Sequence, residues 1–216
     1  MQGRFGFDET TPDKLQLDAG EVWANFDIED FLADAQDEQT DVTDLATYGT
    51  SGSAIRLGAT EGGATFDANR DRNEIDFDGK LGRTKGMVRR ESVEPELSIE
   101  LMEFSQENLE LAIAGAETDD IQALTDIVEI TGGEIKTTDY IENVVFIGKR
   151  SDGKPIMFEV RNCLVEAFSI DTDHGDEGTF EVNFQAHFDA EECTLDEYGG
   201  KEWVEPWRLV MYSDTA

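Results

Sequence analysis

The feature that most constrains this chain lies near its middle, where residues 96–104 read Glu-Leu-Ser-Ile-Glu-Leu-Met-Glu-Phe. Leu97, Ile99 and Leu101 face one way, and Glu96, Ser98 and Glu100 face the other. A period of two means a strand with one dry face and one wet face. Pro95 has no amide to donate, so it marks an edge, a bulge or a break in a ladder. A helix follows at once. Ser105 is a good N-cap, Glu107 lies in the first turn, and Leu109, Leu111, Ala112 and Ile113 form an apolar stripe. Gly115 is the expected stop. So short a helix is unstable alone and must pack on the sheet.

The chain on either side reads mostly as strand. Residues 1–13 are expected to be a flexible N-terminal arm. Residues 14–26 are strand-like, with Gly20 as a bulge or turn. Residues 27–53 read as a long acidic loop, in which Phe31, Leu32 and Ala35 allow a turn or two of helix. Order resumes over 55–63 and stops at Gly62-Gly63. Residues 64–78 carry the apolar anchors Phe66, Ile75 and Phe77. After the central unit, 117–126 is a polar link with a short helix at Ile121 and Leu124, and 127–131 is a short strand. Runs at 143–150 and 155–161 flank Asp152-Gly153, the strongest hairpin signal in the chain. Runs at 163–171 and 178–189 form a second antiparallel pair, and 203–212 is a last strand broken at Pro206. The expectation is a mainly β chain, a β-sandwich or open barrel with one flanking α-helix, forming a single domain over residues 14–216.

Charge removes several functions. The 216 residues hold 50 Asp and Glu against 17 Lys and Arg, a formal net charge of -33. Such a surface repels phosphates and anionic membranes. With 38% hydrophobic residues and 13 Phe, the chain is nonetheless not of disordered composition. Two explanations compete: a polyanionic surface suited to very high salt, or specific cation binding. The acids have no single focus, which favours the first. In ~1 M salt the Debye length is about 3 Å, so self-repulsion is screened. Asp67, Asn69, Asp71 and Asp78 occupy calcium-loop positions, but Arg72 stands where that loop needs Gly and the twelfth ligand is Asp rather than Glu. A solvated strand face fits them better. No cofactor is expected beyond structural cations. Cys163 and Cys193 read as free thiols, and His187 as a polar residue pointing off the core. His174 gives no stronger signal. No phosphate loop, dinucleotide fingerprint, GxSxG or HExxH occurs, so no enzyme is expected. There is no run long enough for a transmembrane helix and no basic-then-apolar signal pattern at the start. Arg83, Lys85, Arg89 and Arg90 are the exception to the acidity, four basic residues within eight positions.

Five pieces occur in a telling order. They are Leu17-Asp18-Ala19-Gly20, residues 58–63 (GATEGG), residues 78–86 (DGKLGRTKG), the strand 96–104, and Ser105-Gln106-Glu107-Asn108-Leu109. Together they resemble the major tail tube proteins of long, non-contractile-tailed, siphovirus-like viruses, over roughly residues 14–115. The second half matches only in its β character. The resemblance implies a structural virion protein. Its subunits would form hexameric rings, stacked into a hollow conduit through which viral DNA passes without specific binding. Its partners would be other copies of itself, a tail terminator and tail-tip proteins. It would be assembled in the host cytoplasm, end up in the virion tail and insert in no membrane. Acidity suits a haloarchaeal host. Loops at 27–53 and 64–72 would reach neighbouring subunits, and the basic cluster would be an inter-subunit patch facing an acidic surface. The alternatives are a terminator or distal-tail ring protein, and a calcium-dependent β-sandwich binding module using residues 67–78 or 171–176.

Overall fold

The computed structural model describes residues 20–36, 45–50, 54–58, 60–76, 78–79, 82–120, 127–151, 154–172, 178–195 and 201–211. The expected arm at 1–13, His174, and the helix at Ile121 and Leu124 lie outside them. In chain order the elements are β1 (Glu21–Ala24), α1 (Ile28–Gln36), β2 (Ile55–Gly58), β3 (Thr60–Glu74), β4 (Val88–Leu101) and α2 (Gln106–Ala112). They continue with β5 (Ala116–Asp120), β6 (Val128–Gly132), β7 (Ile141–Lys149), β8 (Pro155–Asp171), β9 (Thr179–Ala186), β10 (Cys193–Leu195), β11 (Lys201–Trp203) and β12 (Trp207–Met211). The protein is mainly β, and every strand pairing is antiparallel.

β8 is the hinge of the architecture. One of its edges pairs β7. The other pairs β12 along residues 156–160 and β9 along residues 163–171. The eight-stranded sheet therefore forks into two parts, β2-β1-β7-β8-β12 and β8-β9-β4-β3. Their inner faces share one core: Val22, Val144, Phe146 and Val160 from the first meet Leu97, Ile99, Phe180 and Phe184 from the second. Phe66 bridges the open side, its ring 5.9 Å from Phe158 and 5.4 Å from Trp207. Residues 155–171, expected as two strands, are one. Asn162 takes φ +49 inside it, which is where the sequence reads as broken.

The central unit forms as its alternation requires. Leu97, Ile99 and Leu101 are buried. Pairing with β9 starts at Glu96, so Pro95 stands just where that ladder ends. The Ser105 hydroxyl accepts the Asn108 amide at 3.1 Å, capping α2. Beside Ala112 and Leu111 of the apolar stripe, which pack on the core, the helix is anchored by Asn108. It is buried, and its side-chain amide donates to Leu57 O at 2.9 Å and Glu103 O at 3.2 Å. Gly20 is a close-approach position: an added Cβ would lie 2.3 Å from the Phe146 ring. The strand break falls after Gly58 (φ +100), not at Gly62-Gly63, which lie inside β3 beside a register shift.

The segment expected as the long loop 27–53 holds α1. Asp27 caps it by accepting the amides of Glu29 and Asp30. Phe26, Ile28, Phe31 and Tyr48 then pack with Trp23, Val145 and Met157 on the reverse face of β1, β7 and β8. Phe31, Leu32 and Ala35, the residues that allow a short helix in sequence, lie on this face, while the acidic residues make the segment read as a loop. Beneath the helix, Glu159 is 2% exposed. It accepts hydrogen bonds from Asn143 Nδ2 at 2.9 Å, from Arg161 Nε at 3.1 Å and from Arg208, which also reaches Glu29 at 3.1 Å. A buried carboxylate requires this kind of compensation.

Candidate assembly surface

The outer face of β3, β4, β9 and the second half of β8 is one polar field. Cross-strand rows run Asp67-Glu96-Gln185-Leu164, then Thr65-Ser98-Asn183-Ala167, and Glu100-Glu181-Ser169. Across residues 60–69, 91–101, 163–171 and 179–186 there is no Lys or Arg. Carboxylates on this face are held by neutral donors. Asn183 and Ser98 donate to Glu96, and Thr179 donates to Glu100 at 2.7 Å. Glu100 stands directly opposite Glu181, and Asp67 opposite Glu96. Like charges in that relation are destabilising in an isolated sheet.

Among the described residues, this four-stranded part has two free edges. β3 ends the sheet along its whole length. β8 meets β7 only as far as Cys163, which leaves residues 164–171 bonded to β9 alone among the described residues. Ile170 there is 50% exposed.

β3 and β4 run on past the end of β9 as a two-stranded ribbon, in which Asn69 pairs with Glu94 and Glu74 with Val88. Arg83, Lys85, Arg89 and Arg90 are all on this ribbon or its turn, and all are exposed. They are not equivalent. Arg90 and Arg70 both bind Glu205, Arg70 at 3.1 Å, and Arg70 also lies 5.4 Å from the Trp207 ring centroid. Arg83 pairs with Glu74 at 3.5 Å. Lys85, Arg89 and Arg72 make no ion pair among the described residues. Arg72, which the charge cluster at 83–90 does not include, sits directly opposite Arg90.

Asp67, Asn69 and Asp71 stand on the extended strand β3, and Asp78 lies beyond its end. At about 3.3 Å per residue, Asp67 and Asp71 are roughly 13 Å apart along β3, too far to surround one ion. His187 points off the core, half-buried, with its ring 5.2 Å from that of Tyr140. Cys163 is a free, buried thiol in the core, and burial pushes it well above the ordinary thiol range.

In the β5–β6 hairpin, β6 is the short strand expected at 127–131, while β5 is the part the sequence hid, because Ala-Glu-Thr-Asp-Asp shows no apolar alternation. Among the described residues, the hairpin's strands pair only with each other. Glu110 on α2 ties it to the body: Thr118 and Gln106 each donate to Glu110 Oε1 at 2.8 Å, and these bonds hold its carboxyl below the ordinary range. Asp119 stands opposite Glu129, and Glu117 lies two residues from Asp119 on the same face. All three are exposed. The sequence matches no protein-family model and no curated relative. Among the described residues, no helix is long and apolar enough to cross a membrane.

Proposed function

We propose that this chain is the repeating subunit of a hollow viral tail tube, closing into rings that stack into a conduit for DNA. The observation behind this reading is the four-stranded part of the sheet, which has a cation-free outer face and two unpaired edges. Its strands alternate in direction, so β3 of one copy can meet residues 164–171 of the next and keep the pattern antiparallel around a ring. A long free edge is an aggregation hazard unless something covers it, and a ring removes it. Six copies would make a barrel of about 24 strands. At ~4.8 Å per strand and a tilt of ~40°, its backbone radius is about 24 Å, room for a duplex. A lumen lined with carboxylates, amides and hydroxyls offers phosphates nothing to pair with, so there is no counterion release to hold the DNA. A haloarchaeal host would explain the net charge, and loading and capping would fall to terminator and tip proteins.

Electron microscopy of the purified protein in molar salt, over a concentration series, tests this. Hollow tubes with a regular axial repeat are expected. A protein that stays monomeric at every concentration would contradict the proposal.

A further inference from the structure

The ribbon and the β5–β6 hairpin have opposite versions of the same defect. On the ribbon, Arg72 directly faces Arg90. On the hairpin, Asp119 directly faces Glu129. Like charges so placed weaken a strand pair, and a two-stranded ribbon is marginal to begin with. Within one copy only the first defect is relieved, and only in part: Glu205 binds Arg90, while Arg72 is left without a carboxylate partner among the described residues.

The charges are also segregated along the chain. Residues 70–90 hold seven Lys and Arg against four acids. Residues 91–135, which include the hairpin, hold 13 acids and no Lys or Arg. In a protein of charge -33 the ribbon is, among the described residues, the one markedly basic projection, and the hairpin is a projection with no cation at all. Each fits the other in shape, as a two-stranded strip, and in sign.

We infer that the Arg72 face of the ribbon, with Lys85 at the turn beyond it, docks on the Glu117–Asp119–Glu129 face of the β5–β6 hairpin of a second copy. This rests on the tube-subunit reading and assigns that contact to stacking between rings, since lateral closure uses the sheet edges. The cation set differs from the cluster legible in sequence. Arg90 is committed to Glu205 and Arg83 to Glu74, whereas Arg72, outside that cluster, takes part. Docking sets arginine against carboxylate at each self-opposed pair and removes both repulsions at once. Complementary charge of this sort fixes register and orientation between copies.

Three full-length variants test the pairing in molar salt: Arg72→Glu, Asp119→Lys, and both together. Each single reversal converts a like-charge pair within the copy into an opposite one, so the thermal midpoint of the unassembled protein should hold or rise. Stacking should nevertheless weaken, with the critical concentration for tubes rising about tenfold while single rings persist. The double reversal restores complementarity and should recover tube formation. Single variants that stack like the wild type, or a double variant no better than the singles, would overturn the pairing but leave the tube reading intact. Wild-type protein that forms neither rings nor tubes would overturn both.

Discussion

Single residues decide several contacts that no pattern in the sequence announces. Asn108 occupies a helix whose stripe packs on the core through Leu111 and Ala112, and its amide adds a tie from α2 to the carbonyls of Leu57 and Glu103. Replacing it with Leu strands a buried carbonyl, and chemical denaturation should register a loss of about 1–3 kcal/mol. Glu159 is a second case. Glu159→Ala removes the shared partner of Asn143, Arg161 and Arg208, leaving the buried Asn143 amide short of an acceptor and two half-buried guanidiniums without their common carboxylate, with an expected loss of about 1–3 kcal/mol. Cys163 makes a prediction about pH. Its folded pKa is raised, so stability is whole below the unfolded thiol's pKa of about 8.5 and declines as pH rises above it. Alkylation of Cys163 in the folded protein should be far slower than in denaturant, and equal rates would contradict its burial in the core.

Among the elements, those with a clean period were legible and those with special chemistry were not. The strand carrying Leu97, Ile99 and Leu101 follows its alternation, and Ser105 caps the helix after it. The Asp152-Gly153 signal joins two strands that do pair, from Ile141 with Cys163 to Lys149 with Pro155. α1 falls on the turn or two of helix that Phe31, Leu32 and Ala35 allow, but Glu29, Asp30 and Asp34 make its segment read as an acidic loop while Ile28 and Phe31 do its packing. β5 was hidden because a strand paired only with another exposed strand needs no apolar face. β3 beyond Asn69 is the solvated strand face that Asp67, Asn69 and Asp71 fit better than an ion site, although the resemblance implies a loop at 64–72 reaching a neighbour. The mixed surface of free edges and opposed charges was largely illegible, since cross-strand opposition depends on register, and register comes from distant residues. At this scale Ser105→Ala should cost about 1 kcal/mol through loss of the α2 cap, readable as a shifted denaturation midpoint with an unchanged slope.

For the whole molecule, the forked sheet separates two jobs. The half containing β1 and β7 is buried on both faces, by the shared core and by α1, and gives rigidity. The half containing β3, β4 and β9 has its other face wet, acidic and free at both edges. A cation placed on that face should leave the fold intact and change what passes across it. In Glu181→Lys tubes, DNA should be retained at low salt and released as salt rises; release indifferent to salt would contradict a lumen position. The most direct measurement is amide hydrogen exchange, residue by residue, on assembled and unassembled protein in the same molar salt. Joined edges predict that the outward amides of β3, every second residue, and those of residues 164–171 become protected only on assembly. Exchange at both edges that stays fast in the assembled state would contradict edge-to-edge closure, and with it the ring on which the tube reading depends.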